Sequence, residues 1–194
     1  MRRAVLVLSL LALSCSGDGA AGAPADRHAL ASARSETRAT ATIAVTSSAF
    51  AAGAAIPLRH SAYGDGVSPA LSWTGLPAGT RSLALMMEDP DATSARPFVH
   101  WLAWNIDPVE GSLPEGVAPG ASGLVQGRNN RRSNGYFGPR PPGSRPHHYH
   151  FQLFALDDAL TLPAGADREA LLAAMNGHVL AKGDLIGLFG KPRR

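Results

Sequence analysis

The sequence predicts a mainly β domain with one short helix near its C-terminal end. Three observations carry that prediction. Six stretches read as extended runs, rich in apolar, β-branched or aromatic residues and bounded by turn residues. The 21 glycines and 15 prolines punctuate the 194-residue chain so densely that long helices have little room. A convincing helical pattern occurs once, at residues 163–177, where Asp167 and Glu169 precede Ala170-Leu171-Leu172-Ala173-Ala174-Met175 and Gly177 follows.

Taken in order, the chain opens with an address. Arg2 and Arg3 precede a ten-residue apolar run, Ala4 to Leu13, and Cys15 stands where that run stops. The run has the length of a signal-peptide core and is too short to span a bilayer. A cysteine at that place resembles a bacterial lipobox, in which it is lipidated and becomes the mature N-terminus. Residues 1–14 are therefore expected to be a lipoprotein-type signal and Cys15 the lipidation site. An ordinary secretory signal cut near residues 20–25 is the alternative, leaving a soluble periplasmic or secreted protein. Residues 15–40 are mostly Ala, Ser, Gly, Asp and Arg, and read as a flexible tether. The folded domain is expected at residues 41–194.

A first strand is expected over residues 39–46, with Ile43 and Val45 on one face. Turn-rich sequence fills residues 47–69. Leu71-Ser72-Trp73 is a short extended segment with Leu71 and Trp73 in phase. Residues 81–88 form a continuous apolar run that ends at Asp89, as a buried strand would. Residues 98–106 form another, with Trp101 and Trp104 on opposite faces, so both faces should be covered. Residues 111–146 are a long Gly-, Pro-, Asn- and Arg-rich connection, a length that usually signals function or disorder. Residues 149–156 then read as a central strand and residues 185–189 as the last one.

Composition narrows the function. With one cysteine, an intrachain disulfide and a multi-cysteine zinc site are excluded. The formal charge of +3 falls to +1 once Arg2 and Arg3 are removed, so a globally basic nucleic-acid binder is not indicated. There is no Gly-x-Ser-x-Gly elbow and no phosphate-binding Gly-rich loop with its lysine, so an enzyme is not expected.

Three clusters could carry chemistry. Asp89-Pro90-Asp91 could act as an acid/base pair, hold a metal or orient a histidine, and it is equally an ordinary turn. His100 lies inside an apolar strand and needs a hydrogen-bond partner. In Pro146-His147-His148-Tyr149-His150, strand alternation puts His147 and Tyr149 on one face and His148 and His150 on the other. The first pair suits an oxyanion; the second has a common metal-ligand spacing. Between Glu115 and Asp157 there is no acidic residue, while Arg128, Arg131, Arg132, Arg140 and Arg145 occur. Such an interval would attract phosphate or anionic membranes.

Together these segments resemble a known family. Val67-Ser68-Pro69-Ala70-Leu71-Ser72-Trp73, Gly75-Leu76-Pro77-Ala78-Gly79-Thr80, Asp89-Pro90-Asp91-Ala92, Phe98-Val99-His100-Trp101, Gly127-Arg128-Asn129, Gly135-Tyr136-Phe137-Gly138-Pro139-Arg140-Pro141-Pro142, His147-His148-Tyr149 and Leu180-Ala181-Lys182-Gly183-Asp184-Leu185-Ile186-Gly187 follow one another across residues 43–191. In that order they resemble the phosphatidylethanolamine-binding protein family, in its bacterial, Raf kinase inhibitor-like branch. The resemblance implies a large antiparallel sheet packed on a smaller one, and a small pocket for phosphate-like anions, including phospholipid head groups. It implies a pocket lined by Asp89, Asp91, His100, His147 and Tyr149, with Gly138, Pro139, Arg140, Pro141 and Pro142 as its rim. It implies no cofactor. Thr93 stands where the family usually has a proline, Arg140 where it has a cysteine, and Ala62-Tyr63 where it has Cys-Asp.

The expected partners are thus a phosphate-like or phospholipid head-group ligand, a membrane reached through the N-terminal lipid, and a second copy of the chain in a homodimer. The expected location is the bacterial cell envelope. If the aspartates hold the imidazoles, binding should weaken as the histidines lose protons, around pH 6–8 for an ordinary pKa of about 6.5. A metal-dependent hydrolase using Asp89, Asp91, His100 and a histidine of the 147–150 cluster is the rival reading. A structural envelope lipoprotein is the third.

Overall fold

The computed structural model describes residues 29–193. The expected signal, Cys15 and most of the expected tether lie outside the described residues. Among the described residues nine strands form two sheets, and one α-helix packs on the larger. A six-stranded sheet has the order β1-β9-β8-β4-β5-β7 and a three-stranded sheet the order β2-β3-β6. The strands are β1 (Ala41–Thr42), β2 (Ala44–Thr46), β3 (Leu71–Thr74), β4 (Ser82–Asp89), β5 (Phe98–Ile106), β6 (Ser112–Leu113), β7 (Val125–Gln126), β8 (His147–Leu156) and β9 (Val179–Phe189); the helix α1 is Arg168–Met175. All pairings are antiparallel except β1 with β9 at the edge. The mainly β architecture, a large sheet on a small one with a short helix near the C-terminus, is the one the sequence led us to expect.

The large sheet is covered on both faces. Its inner face packs on the small sheet through Val45, Leu71, Trp73, Leu85, Trp101, Tyr149 and Phe151. Its outer face packs on α1 through Met86, Leu102, Trp104, Phe154, Leu171 and Met175. The two tryptophans of β5 therefore serve different cores, as their odd spacing requires. All eight residues of β4 are buried, which explains why this strand reads as an unbroken apolar run.

Besides the short β6 and β7 inside the expected long connection, the elements depart from the sequence reading in four places. The expected first strand is two: the chain crosses from the large sheet to the small one at Ile43, whose N–H still bonds the Lys182 carbonyl at 3.0 Å. The helix is shorter than residues 163–177, because Asp167 is its N-cap and accepts from the Ala170 N–H at 3.1 Å. The last strand begins at Val179, six residues before the expected start. Its polar Lys182, Gly183 and Asp184 disguise a full-length partner of β8.

The fourth departure is the tether. Residues 29–38 do not hang free but form two 3-10 turns, at Ala31–Ala33 and Ser35–Thr37, laid on the outer face of the large sheet. Ala31 and Thr37 are fully buried. Polar groups do the holding. The Ala31 N–H donates to Glu88 Oε2 at 2.7 Å, the Ser32 N–H to Gln152 Oε1 at 2.7 Å, and Lys182 Nζ to the Ser32 carbonyl at 2.6 Å. Arg168 bonds both Glu88 and the Ala29 carbonyl. A tether inferred from poverty in large apolar residues overlooks such an anchor, because what is satisfied here is a buried carboxylate.

Candidate functional site

The site lies where β4 ends, β8 begins and β5 runs alongside. Asp89 is the last residue of β4 and His147 the first of β8. His100 reaches the same place through a β-bulge. Met87 pairs with Trp101 and Glu88 with Val99, so His100 is the extra residue on β5. The bulge turns it toward Tyr149 and Phe137 instead of leaving it in the regular alternation. No sequence pattern announces this; a histidine in an apolar run was the only signal.

Asp89 is buried and connected on both oxygens. Its Oδ2 lies 2.8 Å from His147 Nδ1, and its Oδ1 accepts from the Asp91 N–H at 2.9 Å. Burial pushes its pKa above the ordinary carboxylate value, although the bond from His147 pulls the other way. Since a carboxylate only accepts, Nδ1 of His147 is the donor and Nε2 is the nitrogen left for a ligand. His100 Nδ1 lies 2.7 Å from the Phe137 carbonyl, so it too must donate there. Burial lowers the pKa of His100 to about 4, with nearby His147 adding to the effect. His100 is thus neutral at physiological pH.

These groups open into a cavity of about 110 Å³, lined among others by Asp89, Thr93, Phe98, His100, Phe137 and His147, with Arg140, Pro141 and Pro142 at its edge. The volume is well below the roughly 300–1,000 Å³ of drug-sized ligand sites, so it suits a small head group. Tyr149 stands behind these residues, its ring edge-on to His100 with centroids 5.1 Å apart and stacked near His147 at 6.5 Å. Its buried hydroxyl faces the Asp89 carboxylate and the Arg140 backbone without closing a hydrogen bond to either, and burial raises its pKa.

The rim is held by the turn at residues 60–63. Gly138 is packed so closely that a Cβ would come within 2.6 Å of the His60 carbonyl oxygen, so only glycine fits. The Ala62 N–H bonds the Pro139 carbonyl at 3.0 Å, and the Tyr63 hydroxyl donates to the Pro141 carbonyl at 2.7 Å. Gly138 and Pro139 thus support the rim from behind, while the exposed Arg140 stands at the mouth.

Two expected features lie elsewhere. Asp91 turns outward, where its Oδ2 accepts from the His148 N–H at 2.8 Å and meets His148 Nδ1 at 2.7 Å. These contacts hold its pKa below the ordinary value despite some burial. His148 and His150 do share a face, but each has its own carboxylate, Asp91 and Asp184, at 2.7 and 2.6 Å. Among the described residues no three His, Cys, Asp or Glu side chains form a group that could hold a metal ion. Phe98 and Phe137, which wall the cavity, were not among the residues singled out for the site. Their place beside His100 and before the rim was the available signal.

The sequence profile described as phosphatidylethanolamine-binding protein matches residues 46–190. A UPF0098 protein of Methanothermobacter thermautotrophicus is 46% identical over 137 residues, covering 69% of this chain and 89% of its own. The candidate lipoprotein LppC of Mycobacterium tuberculosis is 39% identical over 148 residues, covering 76% of this chain and 72% of its own. Among solved structures, the phosphatidylethanolamine-binding protein homologue CT736 of Chlamydia trachomatis superposes with a TM-score of 0.73 at 37% identity, covering 79% of this chain and all of that one. Escherichia coli YbcL, described as a member of the mammalian family, gives a TM-score of 0.73 at 28% identity over 78% of this chain and all of its own. A profile matching residues 46–190, and relatives up to 46% identical over 69% of the chain, leave one conclusion: the chain belongs to the phosphatidylethanolamine-binding protein family.

Proposed function

We propose that this protein binds a small phosphate-like anion, such as the head group of a phospholipid, and does no covalent chemistry on it. One observation carries the reading: an imidazole steered by Asp89 opens into a cavity of about 110 Å³ with Arg140 at the mouth. With both ring nitrogens protonated, His147 donates from Nδ1 to Asp89 and from Nε2 to the anion, and Arg140 adds a long-range attraction. Asp89 faces the imidazole, so its negative charge serves the donor instead of opposing the ligand. The names of the family and of CT736 support a lipid head group over other anions.

The test is calorimetric titration of phosphoethanolamine into the chelator-treated chain from Ser16 onward. Binding heat is expected, absent in His147→Ala and about fivefold weaker in Arg140→Ala, the effect of losing about 1 kcal/mol from an exposed cation. Heat that appears only with added zinc would instead support the metal-dependent hydrolase. Silence in both conditions would support a structural role.

We also place the protein in the cell envelope, held by lipid on Cys15. The apolar run before Cys15 and the name of LppC support this. No helix among the described residues is long and apolar enough to cross a membrane. Mass spectrometry of the envelope-bound protein should find an acylated N-terminal cysteine, and Cys15→Ser should remove the acylation. An unmodified N-terminus near residues 20–25 would point to the soluble exported form.

A further inference from the structure

The pocket leaves most of the arginine-rich, acid-free interval unexplained. The structure gathers these residues at one end of the large sheet. There, the loop between β4 and β5 and the long loop before β8 enclose a groove of about 640 Å³ lined by Arg96, Arg128 and Arg132 together with Asp167 and Glu169. The two acids neutralise it poorly. Asp167 approaches Arg128 only to 3.9 Å and Glu169 approaches Arg96 only to 3.8 Å, all four side chains being 42–55% exposed. Arg131 lies 5.5 Å over the Phe137 ring, which walls the pocket. Arg131, Arg132, Arg140 and Arg145 are exposed and form no ion pair among the described residues.

The docked N-terminal segment leaves the domain at this same end. The Ala29 carbonyl is held by Arg168, which also lines the groove. Ala29 lies fourteen positions after Cys15. Fourteen steps of chain reach at most about 50 Å. A lipid on Cys15 therefore keeps this end, and not the opposite one, within easy reach of the bilayer. It turns a weak surface attraction into an intramolecular one.

We propose that the arginine-rich end of the domain, from Arg96 to Arg145, docks on an anionic phospholipid surface with the pocket mouth turned toward the head groups. The orientation rests on the lipid-anchor reading; the attraction does not. Each arginine near such a surface adds a similar increment of attraction, and salt screens it.

The test is sedimentation of the unlipidated chain from Ser16 with vesicles. One set is phosphatidylcholine alone; the other contains one-third phosphatidylglycerol. Binding is expected to the anionic vesicles only, and to fall as salt rises. The triple variant Arg131→Ser, Arg132→Asn, Arg145→Ser should bind at least about tenfold more weakly. Should that variant misfold, Arg145→Glu alone should still weaken binding about threefold or more. His147→Ala, which removes phosphoethanolamine binding, should sediment like the parent, so failure of the pocket and failure of the surface are separable. Equal binding to neutral vesicles, or unchanged binding by the arginine variants, overturns the proposal. So does binding a short DNA duplex as tightly as anionic vesicles in the same salt, which would mark a general polyanion surface.

Discussion

His100 shows how much one residue can be bent to a site. The β-bulge turns it inward, the Phe137 carbonyl fixes its tautomer, and burial strips its proton. That last effect is measurable in the stability of the whole protein. The folded-state pKa is about 4 against an ordinary 6.5. Between those values the unfolded chain binds a proton that the folded chain refuses, so stability falls as the pH drops from about 6.5 to 4 and this loss levels off below. The full span is on the order of 3 kcal/mol. Asp89, with its raised pKa, works in the opposite sense. Asp91, with a lowered pKa, adds loss only below its ordinary 3.8. Urea unfolding of the parent and of His100→Phe at stepped pH isolates the histidine: the difference between the two should shrink on acidification, because the variant lacks this slope. Parallel curves would mean that burial leaves the His100 pKa at its ordinary value.

At the level of elements, the docked segment at residues 29–38 and the loop before β8 decide how the sheet is used. Among the groups that fasten the docked segment is one buried ion pair, Arg168 with Glu88, whose side chains are 7% and 0% exposed. Removing one partner of such a pair leaves an uncompensated charge, a loss of about 3–5 kcal/mol. Arg168→Ala is therefore expected to lower the unfolding free energy by about that much, and the double variant Arg168→Met, Glu88→Gln to recover a good part. Chemical denaturation of the three proteins checks it; equal losses in the single and double variants would mean that the charge pair is not what fastens the segment. The strands were far more legible than this segment. The alternation in β8 was readable because Tyr149, Phe151 and Leu153 are apolar on a single face while His148, His150 and Gln152 are polar on the other. The segment at residues 29–38 is small and polar by composition, and its partners lie 57 to 150 residues away, so nothing local reveals its docking. The bulge at His100 is equally silent, because it exists only in the register between two strands.

Across the whole molecule, both cores were foreshadowed by the odd spacing of Trp101 and Trp104, and the family by motifs that recur in order. What the sequence could not show is which residues meet. Asp89 and Asp91 look equivalent in Asp89-Pro90-Asp91, yet the end of β4 points one into the cavity and sends the other to His148. The pocket, the arginine-lined groove and the exit of the N-terminal segment all lie at one end of the large sheet, because the β4–β5 loop and the loop before β8 meet there. Glu88 and Asp89 are successive residues of β4: the first holds Ala31 and Arg168 on the outer face, the second holds His147 on the inner one. Tension on the chain ahead of Ala29 would be borne by the very rung of the strand that aims the imidazole, so the leash and the ligand site share a single mechanical fulcrum.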